Sequence, residues 1–275
     1  MPTTGRDAAA GRRRQLAARQ LAACMLGGAM LAGLAAMPAD ATILFSTITT
    51  STSTQFEVSA PSIDRGLVTY LANPGFLGNP GYQQVVVTDS ASHVSLTVAQ
   101  AGSTAIPGGA PGEQFDYFTG VPTIDAGRVA FLGGTLGVAS GSAARQGIYV
   151  ATPQFGGSGY TLQKVVDTST VVPGGTGTFQ TINAPFMANG DLVFNATDSA
   201  GKPGIYRLPA DGGPLQVVAN TNTPVPFVNP STPTGSAGTF SYFSQYPTVS
   251  NGVVAFSSMY RVTPPRISSR SRLWE

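Results

Sequence analysis

Pro185-Phe-Met-Ala-Asn-Gly-Asp-Leu-Val-Phe194 decides the fold, because the phrase occurs four times. Pro61-Ser-Ile-Asp-Arg-Gly-Leu-Val-Thr-Tyr70, Pro122-Thr-Ile-Asp-Ala-Gly-Arg-Val-Ala-Phe131 and Pro247-Thr-Val-Ser-Asn-Gly-Val-Val-Ala-Phe256 align with it without gaps. Gly66, Gly127, Gly190 and Gly252 hold one column, and Tyr70, Phe131, Phe194 and Phe256 close each copy. A period of about 62 residues marks a tandem-repeat architecture. Within the phrase, two short apolar runs flank a two-residue turn ending in Gly. Asn189-Gly190 and Asn251-Gly252 are the dipeptides that favour the positive φ of a type I′ turn, so each copy is predicted to be a β-hairpin. Proline at the start of the first run removes a donor where a strand begins, which a strand tolerates.

The rest of each period repeats as well. Gly147-Ile-Tyr-Val150 answers Gly204-Ile-Tyr-Arg207 and, more weakly, Gln84-Val-Val-Val87. Leu162-Gln-Lys-Val-Val166 answers Leu215-Gln-Val-Val-Ala219 and Leu96-Thr-Val-Ala99. Thr170-Val-Val-Pro-Gly-Gly-Thr-Gly-Thr-Phe179 answers Thr104-Ala-Ile-Pro-Gly-Gly109 and Thr223-Pro-Val-Pro226, the last resuming at Gly238-Thr-Phe240 after an insertion. Each unit thus offers four short strands. The expected fold is all-β: a propeller-like array of four-stranded antiparallel blades, three complete and part of a fourth, over residues 42–260.

These phrases resemble the blades of TolB-type β-propellers. The Val-Pro-Gly-Gly-Thr-Gly-Thr-Phe phrase is similar to that of exported bacterial tandem-repeat proteins of unknown function, some of which carry a C-terminal sorting segment of the PEP-CTERM kind. The resemblance covers about residues 56–260. It implies an exported, propeller-like protein and carries no catalytic residues across. The chain departs from it in lacking an apolar sorting helix and in ending its repeats early.

Export is also legible in the first forty residues. Arg12, Arg13, Arg14 and Arg19 precede an apolar run from Leu21 to Met37, and Pro38-Ala-Asp-Ala41 supplies small residues at a cleavage site. This is the layout of a secretory signal peptide, expected to begin as a helix and to be cut between Ala41 and Thr42. The competing reading is an uncleaved anchor, for which the run is short. Leu21-Ala-Ala-Cys24 spells a lipobox, but at the start of the apolar run rather than at its end. Arg13-Arg14 fits a twin-arginine signal only loosely, so the export route stays open. Membrane contact is expected only through this segment before cleavage, and the mature chain is placed in the periplasm or outside the cell.

Composition narrows the function. Charged residues make up 10% of the 275 residues, whereas Gly (34) and Pro (21) together make up a fifth. The chain is folded, turn-rich and charge-poor. Residues 42–260 carry six basic and ten acidic groups, which argues against a nucleic-acid partner. One His and one Cys, Cys24, leave no His/Cys metal cluster and no disulfide framework. No cofactor or metal is expected. No Gly-x-Ser-x-Gly elbow, His-Glu-x-x-His helix or Walker loop is present, and the glycines of Gly174-Gly-Thr-Gly177 lack the Lys of a phosphate cradle. His93 reads as structural, and no catalytic residue is assigned. Asp64 and Asp125 read as turn carboxylates. Glu113 and Asp116, close together in a loop, are the pair a carbohydrate-active enzyme or a Ca²⁺ site would draw on, and a solvated pair is the simpler account.

In a four-stranded blade the loops after strands two and four share one end. Here those loops are long, near 71–83, 132–146 and 195–203, and near 100–114, 168–178 and 220–239. Rigid scaffolds place function on such loops. Their neutral polar residues, with Phe76, Tyr82, Phe155 and Phe227 as candidate contact rings, suit a glycan or an extended peptide on an envelope or extracellular protein. Three functions stay open: a non-enzymatic binding scaffold, a carbohydrate-active hydrolase or lyase, and a structural envelope component. After Met259-Tyr260 the pattern stops, and four Arg fall within residues 261–272 of an off-pattern tail, 261–275. A shifted reading frame or truncated gene explains this better than a natural basic tail. A chain ending here would leave open strand edges, suited to self-association.

Overall fold

In the computed structural model the described residues are 30–32, 45–47, 56–74, 83–137, 144–155, 159–175, 177–225 and 238–261, and all regular secondary structure among them is β. Two compact units divide the chain, Met1–Val166 and Asp167–Glu275. Near the N-terminus, β1 (Met30–Ala32) pairs antiparallel with β2 (Phe45–Thr47). The helix expected there is therefore not what its described residues form. Outside lipid a neighbouring strand satisfies backbone N–H and C=O groups as well as a helix does. Ala41 and Thr42, and the tail from residue 262, lie outside the described residues.

The first unit holds two sheets. One orders β3 (Phe56–Val58), β5 (Leu67–Pro74), β6 (Gln84–Asp89) and β7 (Ser95–Gln100), with β4 (Ser62–Asp64) also pairing β5. The other orders β8 (Tyr117–Asp125), β9 (Arg128–Thr135), β10 (Arg145–Pro153) and β11 (Tyr160–Asp167). In the second unit β12 (Phe179–Ile182) and β13 (Phe186–Ala188) both pair β14 (Asp191–Asp198), followed by β15 (Pro203–Leu208) and β16 (Gln216–Asn220). A further hairpin has β17 (Thr239–Phe243) on β20 (Ser258–Arg261) and β18 (Thr248–Ser250) on β19 (Val253–Ala255). All pairings are antiparallel.

The layout repeats in detail. The tight turns close at Asp64↔Leu67, Asp125↔Arg128, Ala188↔Asp191 and Ser250↔Val253. Both central residues of each turn have positive φ: Arg65/Gly66, Ala126/Gly127, Asn189/Gly190 and Asn251/Gly252. That is the type I′ signature expected from the phrase. The first strand of each hairpin is longer than the phrase and is interrupted at its proline. Pro61, Pro185 and Pro247 sit between paired segments, and in β8 the register shifts between Thr119 and Thr123, around Pro122. A residue without an N–H cannot continue the ladder, so the strand breaks and resumes.

Neighbouring turns one period apart are tied within each unit. Ala126 N donates to Asp64 Oδ2 at 2.6 Å, and Asn189 Nδ2 donates to Asn251 Oδ1 at 3.1 Å. Asp64 therefore braces a turn, as expected.

Aromatic residues fill the cores. In the second sheet Phe115 meets Tyr149 edge-on at 4.8 Å, and Phe131 stacks on Tyr149 at 6.0 Å. In the third, Phe179 meets Tyr206 edge-on at 4.9 Å, and Phe194 stacks on Tyr206 at 5.6 Å. Phe240, Phe243 and Phe256 cluster in the last hairpin. All these rings outside the last hairpin are 2% exposed or less.

Phe115, Phe179 and Phe240 reach their cores from the Thr-x-x-Pro phrase, which forms a latch; residues 226–237 of the third copy lie outside the described residues. In each copy the residue ending the fourth strand donates its N–H to the Thr hydroxyl: Gln100 to Thr104 (2.9 Å), Asp167 to Thr170 (3.0 Å) and Asn220 to Thr223 (2.9 Å). A small antiparallel bridge follows, Ala105↔Gln114, Val171↔Thr178 and Pro224↔Thr239. The phenylalanine N–H then bonds back to the Thr carbonyl, at 3.0, 3.1 and 3.4 Å.

Two outcomes follow for urea unfolding. Phe179→Ala removes a fully buried ring and is expected to cost about 3–5 kcal/mol. Ala126→Asn places a residue that tolerates left-handed backbone where φ is 49°, and is expected to stabilise by about 1 kcal/mol.

Candidate functional site

The third sheet carries a cleft of about 290 Å³. Three segments wall it. The latch contributes Pro173-Gly174-Gly175, the connection from β14 to β15 contributes Asp198 to Lys202, and the chain leaving β16 contributes Asn220. The first and third follow a fourth strand and the second follows a second strand. The cleft thus lies among the long loops singled out in the sequence.

Local chemistry shapes each wall. Val172 N bonds to Gly177 O at 2.9 Å and Gly175 N to Val172 O at 3.0 Å, which curls the latch tip. Gly174 has φ of +68°, the left-handed backbone that glycine adopts without strain. Gly177 has no side chain because a Cβ there would run into Ser199 Oγ. Ser199 N in turn donates to Thr178 O at 2.8 Å, fixing the loop against the latch. Asp198 Oδ1 accepts from Ala200 N at 2.9 Å and Lys202 N at 2.8 Å. Asn220 Oδ1 accepts from Asn222 N at 2.9 Å and Thr223 Oγ1 at 3.2 Å.

Tyr206 reaches the cleft although only 2% of it is exposed. Burial first, and the Asp198 carboxylate second, push its phenol up to about 12 from an ordinary value of 10. It is a neutral hydroxyl at any physiological pH, able to donate or to accept. With one carboxylate and one ammonium, the lining carries no net charge.

The residues singled out from sequence fall as follows. Phe76, Tyr82 and Phe227 lie outside the described residues. Phe155 is fully exposed, but in the turn between β10 and β11. That turn is at the end of the sheet where Gly127 faces Pro153, and not among the long loops. His93 is exposed with φ of 59° in the turn after Asp89, whose carboxyl is held below its ordinary value by the Ser92 and Ala91 N–H groups. Glu113 and Asp116 have separate structural partners. Glu113 is buried, with Oε2 accepting from Ala110 N at 2.7 Å and lying 3.6 Å from Arg145 Nη1, so it braces the first latch. Asp116 Oδ2 accepts from Thr135 Oγ1 at 2.8 Å and Leu136 N at 2.7 Å.

Sequence reasoning did not single out Tyr206, Lys202 or Asn220 as site residues. The signal was present in Gly204-Ile-Tyr206, read only as a strand repeat. Also missed was the half-buried ion pair in which Arg207 Nε and Nη2 both reach Asp191 Oδ1, at 3.0 and 2.7 Å. It anchors the end of the sheet opposite the cleft.

A family model described as a family of unknown function, DUF7453, matches residues 38–275. The chain belongs to DUF7453. No curated protein matches it. In this DUF7453 member the family match takes in all four hairpins, the three latches and the cleft.

The Tyr206 proton gives a test of the cleft's geometry. Because the folded-state value lies above the ordinary one, its contribution to stability is fully present below pH 10. It is lost as pH rises through about 12. Ultraviolet titration of tyrosinate is expected to show a component near pH 12 that disappears in Tyr206→Phe.

Proposed function

We propose that the chain is an exported, non-enzymatic β-repeat scaffold whose sheets are blades of a propeller-type array, and that its long-loop face binds a glycan or a protein outside the cytoplasm. The observation that carries the reading is the position of the cleft. Its walls come from loops after second and fourth strands, held by latches and ladders that leave little freedom to the scaffold. Rigid elements carrying a polar concavity suit binding.

The match to the DUF7453 model begins at residue 38, taking in four residues before the expected cut, and so leaves most of residues 1–41 outside the family region. This supports reading residues 1–41 as an address. The binding reading is favoured over a hydrolase or lyase because Glu113 and Asp116 each hold a loop backbone N–H and neither lines the cleft. A structural envelope role would leave the cleft without purpose.

Expression of the full chain in a bacterial host tests the export half. Protein recovered outside the cytoplasm with Thr42 as its first residue is the expected result. A product retained in the cytoplasm that still begins at Met1 would contradict it.

A further inference from the structure

The cleft in the third sheet is specific enough to name a ligand class. Tyr206 is almost wholly buried, yet its hydroxyl has no hydrogen-bond partner among the described residues. Tyr206 lines the open cleft, so its hydroxyl can exchange a water for a ligand hydroxyl. Around it stand three more unspent groups. Asp198 uses only Oδ1 within its own loop. Asn220 uses only its oxygen, which leaves its amide N–H₂ group as a donor. Lys202 makes no ion pair among the described residues, so its ammonium is a second donor.

These groups are two donors, one acceptor and one hydroxyl that does either, with opposite charges that cancel. A phosphate or sulfate would meet Asp198, and a cationic ligand would meet Lys202. Aromatic and lipid ligands lack a surface to lie on, because the Tyr206 ring is covered by Phe179 and Phe194. The Gly174-Gly175 wall presents backbone without side chains, so a hydroxyl-bearing ring can approach closely. Each ring hydroxyl both donates and accepts, as this mixed set of partners requires.

Building on the loop-face reading above, we propose that the cleft formed by Gly174, Asp198, Lys202, Tyr206 and Asn220 binds one neutral sugar ring of a glycan. Asp198 accepts from one hydroxyl, and Asn220 and Lys202 donate to others. Tyr206 completes its own hydrogen bonding on the ligand.

Titration calorimetry of the purified full chain with glucose, galactose, mannose and N-acetylglucosamine, and with a sulfated monosaccharide for comparison, tests this. Three near-isosteric variants keep the local structure. Asp198→Asn retains the oxygen that accepts from Ala200 and Lys202, Asn220→Asp retains the oxygen and removes the donor, and Tyr206→Phe retains the ring. Saturable binding of at least one neutral sugar is expected, with the sulfated sugar weaker and each variant about tenfold weaker at unchanged near-ultraviolet circular dichroism. Binding that all three variants leave intact would overturn the assignment. So would a chain that ignores every sugar but captures an envelope protein through these loops, an outcome that leaves the loop-face reading standing. A chain that binds neither sugars nor proteins through these loops would sink both.

Discussion

An edge-on contact between two rings holds this architecture together: Phe115 against Tyr149 in one sheet and Phe179 against Tyr206 in the next, at 4.8 and 4.9 Å. The chain has few other means of cohesion. It is charge-poor, rich in Gly and Pro, and has a single cysteine, Cys24, so no disulfide within the chain. Packing must supply the stability, and aromatic rings bury the most apolar surface per residue. The phenylalanine of each pair arrives from outside the sheet, on a latch that starts at the end of a fourth strand and closes where the next first strand begins. Without that ring, the tyrosine and phenylalanine from the second and third strands would border a cavity.

The latch explains why a glycine-rich phrase repeats so faithfully. Its threonine hydroxyl takes the N–H that ends the fourth strand, the proline and glycines form the tip in the first two copies, and its phenylalanine plugs the core. In the third sheet the same tip doubles as a wall of the cleft. Tyr206 therefore has two roles, its ring in the core and its hydroxyl at the site. A scaffold built this way can vary its loops while the latches hold them in place.

The tight turns were legible in sequence because a glycine in a fixed column, often after asparagine, has one main structural use between two apolar runs. The four-strand count was legible for the same reason. The first strand's full length was hidden, because Pro185 and its equivalents read as beginnings and are interruptions. The latches were read as loops, since a threonine hydroxyl and a short bridge leave no periodic trace. The ion pair of Asp191 and Arg207 was invisible because its partners sit on adjacent strands, sixteen residues apart. Only the fold shows that Asp198 lines a cleft with Tyr206. Phe155 was grouped with the binding loops by composition, although its turn follows a third strand.

Amide hydrogen exchange of the full chain tests the latch most directly. The N–H groups of Ile106, Phe115, Val172 and Phe179 all donate to carbonyls within the latches. They should exchange as slowly as amides of the neighbouring sheets, and Phe179→Ala should speed exchange at Val172. Exchange of these four amides at the rate of free loops would mean that the Thr-x-x-Pro phrases are ordinary linkers and that the sheets cohere by some other means.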